Sequence, residues 1–534
     1  MKKEKKVEKT VKKSNAANCK AAKWINLCAM LVGIILLAVG IFVKQVEMPF
    51  KLIGVLLVWG SGISYAVRSD KHVLIKSVIW STLIAILLTW LFPSGAYQGA
   101  TYASYGLKRI GINDVPSVIY YAIYFALDKL MYLLAIAGFY GVLSVTKGYR
   151  KLVTDVAKKI EPYKTTYAIV TMIILILLTA ILSNQMVIIF FIPFILSVYN
   201  KMGVDKMTAF LTTFGALLLG MLSAPWGSDS LYWFNYYMGV TLKEGFTLRL
   251  IISACLLVLS IIVLILRARN ISKGKYETVV EDVFEIEPLK DGGRKAPLII
   301  IMAVVCILMI LGFVDWVSCF NIEVFTKFHE WLMGLTIGKD VAIFAYLFGT
   351  SAKMFGAWDI STFVTIILVT SIIVGLVYRI KLADFLTAFG RGMQKMAKPI
   401  AIYVSTFALF VVMYITPIFP TITNWLLGLT ENFNLYLTSV MGFITSIFHA
   451  DLGYTGYAVG QFLTTAYADH LAVAHTTYFT MYGLAQLILP TSGILVLGLV
   501  TTKVSYKEWL KYIWKIALII IILIMIVLTI ATYV

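Results

Sequence analysis

The chain has 534 residues, of which 60% are hydrophobic and 14% are charged. This composition excludes a mainly water-soluble protein and predicts an all-α polytopic membrane protein, because a helix satisfies its own backbone hydrogen bonds inside a bilayer. The net charge of +19 does not indicate a nucleic-acid partner, since Lys and Arg in short cytoplasmic loops and in a basic N-terminal arm account for it. The five cysteines lack metal or redox spacing, which argues against disulfides and CxxC chemistry.

The chain begins with a basic arm. Residues 1–23 contain nine Lys and two Glu, and an apolar run follows at 24–43. Because that run is long enough to span a bilayer and no small-residue cleavage site follows it, we expect a retained first helix with a cytoplasmic N-terminus. We interpret the arm as a solvated tail that sets topology, with contact to anionic lipid as the alternative.

Further apolar runs predict a series of spanning and half-spanning helices. The shortest of them suit half-helices or re-entrant segments, since they cannot cross a bilayer alone. In chain order the runs lie near 50–67, 73–92, 118–143, 166–200, 206–225, 249–267, 297–314, 341–350, 361–378, 399–429, 432–449, 454–466, 474–500 and 513–533.

The run at 166–200 is the most informative of these. At about 1.5 Å per residue a continuous helix of this length would reach roughly 50 Å, against a hydrocarbon core of about 30 Å. Its polar centre, Ser183-Asn184-Gln185, marks where the helix is expected to break. Broken helices at membrane depth are the usual way in which secondary transporters build a site for substrate and coupling ion.

Residues 268–296 form the only long polar stretch, and basic residues on both flanks predict that it is cytoplasmic. It divides the remaining chain into two halves with the same order of elements, so we expect a two-repeat secondary-transporter architecture with discontinuous and re-entrant helices. Inversion of the repeats is left open, because both amphipathic basic stretches look cytoplasmic. The predicted organisation is a basic cytoplasmic arm (1–23), two accessory transmembrane helices (24–72), a first transport repeat (73–267), a cytoplasmic linker (268–296) and a second transport repeat (297–534).

Polar interruptions in both halves supply the candidate site. They fall at 183–185 and 223–229 in the first half, and at 416–421, 449–454 and 490–493 in the second, several of them with proline. Neutral oxygens at such breaks can replace water around Na⁺, and half-helix N-termini suit a carboxylate. Packing kinks are the alternative reading. The candidate substrate- or ion-binding residues are Ser183, Asn184, Gln185, Ser223, Asp229, Thr416, Thr421, His449, Asp451, Thr491 and Ser492.

Two expectations concern contacts between residues. The interruptions at Ser183-Asn184-Gln185 and Pro490-Thr491-Ser492-Gly493 should approach each other near mid-bilayer, because unpaired polar groups are costly in apolar surroundings. Asp128 and Lys129 are adjacent in the sequence. On a helix they point about 100° apart, so we expect them not to pair with each other.

Three blocks of sequence resemble one family. Thr89–Tyr97, Gly138–Leu143 with Gly148–Val153, and Leu489–Gly493 with Tyr506–Lys511 are similar, in this order, to blocks of the anaerobic C4-dicarboxylate carrier-like family in the ion transporter superfamily. The resemblance covers about residues 80–534, and the two helices before residue 70 are unlike the minimal family core. It implies secondary uptake or exchange of dicarboxylates, amino acids or related small anions.

Three classes of function follow from the sequence. We favour an ion-coupled secondary transporter, by symport or exchange, of a small polar or anionic solute such as a C4-dicarboxylate or an amino acid. The alternatives are a membrane-embedded enzyme that uses His449 with Asp451, or Asp469 with His470, and a structural or channel-like protein.

For the transporter we expect no catalytic residue, no cofactor and no metal other than a transported Na⁺. The coupling ion is Na⁺ or H⁺. The expected partners are a small-molecule substrate and the lipid bilayer, a homodimer is left open, and the expected location is the plasma membrane.

Overall fold

A computed structural model describes residues 2–69, 72–272, 278–284, 294–337, 341–349, 351–448 and 451–533. Within these ranges, eleven helices are long and apolar enough to cross a membrane. The only strands in the described ranges are four short ones in two small sheets. The prediction of an all-α polytopic membrane protein is therefore confirmed.

The described residues up to 272 include eleven α-helices, and the first two of these helices pack closely against each other. A Cβ on Gly54 would lie 2.8 Å from the carbonyl oxygen of Gly33, so these two helices approach at backbone distance. The helices are α1 (Lys2–Phe42), α2 (Glu47–Arg68), α3 (Val73–Leu91), α4 (Val115–Val145), α5 (Lys147–Ile160), α6 (Lys164–Ile181), α7 (Ile192–Lys201), α8 (Lys206–Thr212), α9 (Phe214–Leu222), α10 (Asp229–Met238) and α11 (Phe246–Ser272).

The remaining helices follow the polar stretch. The linker was predicted to begin at 268, but α11 continues to Ser272. The later helices are α12 (Ala296–Phe313), α13 (Trp316–Phe320), α14 (Val324–Met333), α15 (Ile343–Phe348), α16 (Ile360–Val377), α17 (Leu382–Ser405), α18 (Phe407–Ile415), α19 (Phe419–Leu427), α20 (Leu435–Phe448), α21 (Leu452–Ala466), α22 (Leu471–Ile488), α23 (Gly493–Thr501) and α24 (Tyr506–Tyr533).

The sequence did not predict the strands. β1 (Ser94–Gln98) and β2 (Thr101–Gly106) form an antiparallel hairpin directly after α3, and β3 (Thr336–Ile337) pairs with β4 (Val341–Ala342). Gly99 lies in the turn of the first hairpin at φ +60°, a conformation that favours glycine. Short 3₁₀ helices cover Lys44–Val46, Ile112–Asp114, Glu161–Tyr163, Gln185–Phe191 and Ala468–His470.

Each predicted interruption coincides with the end of a helix. The apolar run at 166–200 breaks after Ile181 and resumes as the 3₁₀ helix that begins at Gln185. The later breaks lie between α9 and α10, between α18 and α19, between α20 and α21, and between α22 and α23. Proline lies in or directly after three of these breaks, where its missing N–H cannot continue a helix.

Two broken helices, α9–α10 and α22–α23, run antiparallel along each other. A Cβ on Gly483 would meet Leu222, and one on Gly498 would meet Phe214. Residue numbers therefore rise along one helix as they fall along the other. The two breaks lie along this shared length, which brings residues distant in sequence to one region.

One end of the bundle is strongly basic. Lys295 forms an ion pair with Asp155, and Lys503 forms one with Glu281. Lys206 on α8 pairs with Glu508 on α24 at 3.0 Å. The starts of α8 and α24, the segment at 278–284 and, through the pair of Arg267 with Asp205, the end of α11 therefore lie at one end, and the hairpin β1–β2 follows the end of α3.

Candidate functional site

Four helix starts meet at one cavity inside the bundle. They are the beginning of the 3₁₀ helix at Gln185 and the beginnings of α10, α21 and α23. The cavity admits water-sized molecules over about 100 Å³, several times the roughly 15 Å³ that one water needs on this measure. It is lined by Lys129, Asn184, Gln185, Met186, Met221, Asp229, Ser230, Trp233, Tyr403, Thr406, Phe407, Phe410, Asp451, Tyr482, Gln486, Gly493 and Ile494.

Each of the four helix starts has a capping side chain. Asn184 Oδ1 accepts the N–H of Met186 at 3.0 Å, and Ser228 Oγ accepts that of Leu231 at 3.1 Å. The carboxylate of Asp451 accepts the N–H of Tyr454 at 3.1 Å, and Ser492 Oγ accepts that of Leu495 at 3.3 Å. These polar residues begin the half-helices because a side-chain oxygen there satisfies an N–H that has no partner within the helix.

The tip at 183–185 and the end of α6 before it are held by hydrogen bonds to two other segments. Ser183 donates its N–H to the carbonyl of Phe313 at 2.7 Å. Gln185 Oε1 accepts the N–H of Asp229 at 3.4 Å, and Gly227 donates its N–H to the carbonyl of Ala180 at 3.1 Å. The tip and the break before α10 therefore support each other at the wall of the cavity.

A fully buried arginine satisfies the carbonyls that the break before α10 releases. The guanidinium of Arg249 donates to the carbonyls of Ala224 at 3.2 Å and Pro225 at 3.1 Å. It also donates to the carbonyl of Leu242 at 2.8 Å and contacts His475 Nδ1 at 3.3 Å. Arg249 is committed to this backbone and does not line the cavity, so it acts as a scaffold for the broken helix.

The charged groups at the cavity come from three helices. Lys129 on α4 forms an ion pair with Asp128 at 2.9 Å, and it lines the cavity together with Asp229 and Asp451. The expectation that Asp128 and Lys129 do not pair is therefore wrong. The long lysine side chain folds back to its neighbour, which the angle between Cβ directions does not prevent.

The α10 and α21 helices bring the two acidic residues together. They run parallel, and the glycine face of α21 lies against α10: a Cβ on Gly453 would meet Trp233, and one on Gly460 would meet Met238. Asp229 begins α10 and Asp451 caps α21. Both carboxylates therefore reach the cavity at the same level.

Gln486 on α22 has a side-chain nitrogen with no partner in the described parts of the chain. Its side-chain Nε2 is buried and forms no hydrogen bond there, although the residue lines the cavity. Only 4% of the residue is exposed. A buried amide without a partner is costly, so this group is suited to donate to a solute that enters the cavity.

Four of the eleven sequence-predicted residues line the cavity: Asn184, Gln185, Asp229 and Asp451. The interruption at 490–493 also reaches it through Gly493, so the two interruptions expected to approach each other do so. Ser492 caps α23, and Ser183 and Thr491 flank the lining positions. Ser223 is buried at the end of α9 without lining the cavity, and His449 lies outside the described residues.

The interruption at 416–421 lies away from the cavity and contacts the hairpin β1–β2. Thr421 Oγ1 donates to the carbonyl of Pro93 at 2.7 Å and contacts the Tyr102 hydroxyl at 2.5 Å. Gly95 donates its N–H to the carbonyl of Pro417 at 3.0 Å. This break therefore anchors the hairpin β1–β2, and neither Thr416 nor Thr421 lines the cavity.

Sequence reasoning missed most of the other lining residues as site residues. Lys129 was visible as an ionisable residue in an apolar run, the type of residue that is expensive in a membrane. Gln486 was visible as one amide in the apolar stretch before Pro490. The aromatic residues Trp233, Tyr403 and Tyr482 carried no signal, because aromatic residues are common throughout this chain.

Comparison with known families decides the group to which the chain belongs. The family described as "C4-dicarboxylate anaerobic carrier" matches residues 79–533. The chain belongs to this family of carriers. The family match begins within α3, so it leaves out α1 and α2.

Other comparisons add little to this assignment. No curated protein matches the chain. Among solved structures, the YdaH transporter of Alcanivorax borkumensis is similar at 12% sequence identity and a TM-score of 0.39, over 86% of this chain and 98% of that one. A similarity at that level carries no argument about the site.

Proposed function

We propose that the protein is an ion-coupled secondary transporter of a small carboxylate-bearing solute, such as a C4-dicarboxylate or an amino acid, with the cavity described above as its binding site. The observation that carries this proposal is the meeting of four half-helix starts at one cavity that contains a lysine and two carboxylates. Sites of this kind, at discontinuous helices, are typical of secondary transporters.

The donors at the cavity suit a carboxylate. Lys129 supplies a positive charge, Gln486 supplies an amide N–H, and the helix starts supply oriented backbone dipoles. A hydrogen bond to a charged group contributes about 1.5–3 kcal/mol. We assign no catalytic role, because a binding site of this kind accounts for the residues without a reaction.

The balance of charge supports ion coupling. The cavity is lined by one lysine and two acidic residues, Asp229 and Asp451, and the lysine is already paired with Asp128 at 2.9 Å, so an entering anion meets no unpaired positive charge among the described lining residues. Charges in a membrane interior interact strongly and are costly to leave uncompensated. A dianion therefore requires that Na⁺ or H⁺ binds at Asp229 and Asp451, which links its transport to that cation.

The two carboxylates also favour a second class of substrate. An amino acid would place its ammonium group against Asp229 or Asp451 and its carboxylate against Lys129 and Gln486. Such a zwitterion compensates part of the negative charge by itself. It would need fewer coupling cations than a C4-dicarboxylate.

Orientation is part of the proposal. The basic end of the bundle, which includes Lys206, Lys295 and Lys503, is assigned to the cytoplasm by the positive-inside rule. This assignment makes the N-terminus and the 268–296 stretch cytoplasmic, and we propose the plasma membrane as the location. Externally added thiol reagents should therefore not label cysteines introduced at 278–284 in intact cells.

Uptake by proteoliposomes tests the function. Labelled succinate, fumarate, aspartate and a neutral amino acid are compared with a Na⁺ gradient, with a pH gradient, and with internal unlabelled substrate for exchange. We expect uptake of at least one of these solutes, driven by one of the two ion gradients or by exchange. Absence of uptake and exchange for the whole panel, with protein that binds none of the four solutes, would contradict the proposal.

A further inference from the structure

The two N-terminal helices and the start of α3 enclose a second cavity, which is a groove of about 770 Å³. Its walls come from α1, α2 and α3, and all but Trp80 of its lining residues precede residue 79, where the family match begins. It is therefore separate from the transport cavity and is not a property that the family assignment explains.

The open end of the groove is positively charged. Lys23 on α1, Arg68 at the end of α2 and Lys76 in the first turns of α3 line it, and no acidic residue among the described residues does so. Within the described chain, none of these three cations forms an ion pair. Arg68 donates to the carbonyl of Ala22, and Lys76 donates to Ser69 Oγ at 3.1 Å.

The rest of the groove is mainly apolar, although Asn26, Ser61 and Ser69 also line it. Leu27 and Met30 on α1 face Ala66 on α2 and Trp80 on α3. From Lys23 to Met30 the wall descends about 10 Å along a helix at 1.5 Å per residue. A basic rim above an apolar wall therefore runs along the direction that an acyl chain takes.

The rim lies at one membrane boundary. The helices α1 and α2 run antiparallel, since Asn26 bonds to Ser61 at 2.9 Å and Gly33 lies against Gly54. The helix α3 then runs away from the rim and leads into the hairpin β1–β2. The turn of that hairpin contacts Gln461 near the end of α21, and α21 runs parallel to α10, away from the basic start of α8. The rim is therefore at the same end as the basic loops of the bundle, where anionic headgroups and the Lys and Arg of short loops meet.

We propose that this groove binds an anionic phospholipid, with the phosphate between Lys23, Arg68 and Lys76 and an acyl chain along Leu27 and Met30. Both halves of the occupant follow from the described lining: three cations, with no carboxylate among the described residues, select a negative headgroup, and the apolar wall selects a lipid tail. A bound lipid would fill the space between α1 and α3, beside the direct contact of α2 with α3 through Trp59 and Trp80. The accessory helix pair would then be attached to the transport domain through lipid as well as through protein contacts.

Native mass spectrometry and thermal unfolding of the full-length protein in detergent test the proposal. The probes are phosphatidylglycerol, phosphatidylcholine and inorganic phosphate. We expect phosphatidylglycerol to bind and to raise the melting temperature more than phosphatidylcholine does. Inorganic phosphate at millimolar concentration should not displace it, whereas displacement would show a phosphate site in place of a lipid site and would overturn the proposal.

Variants locate the binding. In Arg68→Gln/Lys76→Gln, we expect affinity for phosphatidylglycerol to fall about fivefold for each cation removed. The matched control is Lys44→Gln, an exposed lysine at the opposite end of the same two helices, which should bind as the parent does. Equal losses in the control and the rim variant would contradict the site.

A charge-preserving variant separates binding from folding. Arg68→Lys/Lys76→Arg should retain the preference for phosphatidylglycerol, even if it shifts the melting temperature in the absence of lipid. Lys23→Gln, which removes a cation with no hydrogen bond within the described chain, should weaken binding without loss of folding. If Lys23→Gln and the Arg68→Gln/Lys76→Gln variant both fold and keep the parental preference for phosphatidylglycerol, the proposal is wrong.

Discussion

Gly453 on α21 lies directly against Trp233 on α10, so that a Cβ on the glycine would come within 2.6 Å of the Cβ of the tryptophan. The two half-helices therefore touch at backbone distance just beyond their starts. This contact sets the separation between Asp229 and Asp451, which begin or cap the same helices. The geometry of the carboxylates thus depends on a residue that has no side chain.

Gly453→Ala should impair transport. The added methyl group must push α21 away from α10, which changes the spacing of the two carboxylates, and overpacking of this kind costs about 1–3 kcal/mol. We expect at least a tenfold lower initial rate of uptake in proteoliposomes. Gly390→Ala, at a helix position where a Cβ meets nothing within 4 Å, is the control and should transport at the parental rate.

Lys129→Gln should weaken substrate binding. Among the described residues, the lysine is the only cation that lines the cavity, so its loss leaves a substrate carboxylate beside Asp229 and Asp451. We expect the apparent KM to rise about tenfold or more, because a hydrogen bond to a charged group contributes about 1.5–3 kcal/mol. Lys129→Arg should recover part of the affinity, and an unchanged KM in both variants would remove Lys129 from the site.

Asp229→Asn and Asp451→Asn should uncouple transport from the driving cation. An amide occupies the same space as the carboxylate, and asparagine still caps a helix. Neither amide binds H⁺ or attracts Na⁺ as a carboxylate does. Measured uptake should lose most of its response to the ion gradient, while exchange of internal for external substrate persists.

The control for this pair is Asp315→Asn. Asp315 is a capping residue of α13, where it accepts the N–H of Ser318 at 2.9 Å, and it does not line the cavity. Its response to the gradient should equal that of the parent. Full coupling in both cavity variants would show that the cation binds elsewhere.

Gln486→Leu should separate stability from function. The substitution replaces a buried amide nitrogen that has no partner among the described residues with an apolar group of similar size, and an unsatisfied buried group costs about 1–3 kcal/mol. We expect an equal or higher melting temperature together with a several-fold loss of substrate affinity. A stable variant with parental affinity would argue that Gln486 does not contact the substrate.

Arg249→Gln should destabilise the fold, although Arg249 does not line the cavity and so does not contact the substrate. It would leave the carbonyls of Ala224, Pro225 and Leu242 without their shared donor, a loss of at least about 2 kcal/mol. The melting temperature should fall clearly, whereas Arg391→Gln, at an exposed position of α17, should leave it unchanged. A parental melting temperature in Arg249→Gln would show that water replaces the guanidinium at little cost.

The sequence by itself determined where the helices lie and where they break. Hydropathy is a local property, so the apolar runs defined the spans. Pro225, Pro417 and Pro490 marked breaks because proline lacks an N–H and clashes with the preceding turn. Asn184 and Asp451 could be identified for a related reason, since polar side chains in an apolar run are costly unless they cap a helix or face a cavity.

Only the tertiary structure decided which breaks share a cavity. Thr421 looked as suitable as Asn184 in the sequence, yet its hydroxyl contacts Pro93 and Tyr102 at the hairpin β1–β2. Lys129 lies in the continuous helix α4 and Gln486 lies in α22 just before its break, and neither is one of the interrupting residues; they reach the site because α4 and α22 pass beside it. The partner of a polar group depends on contacts between segments far apart in the chain, and local hydropathy contains no record of those contacts.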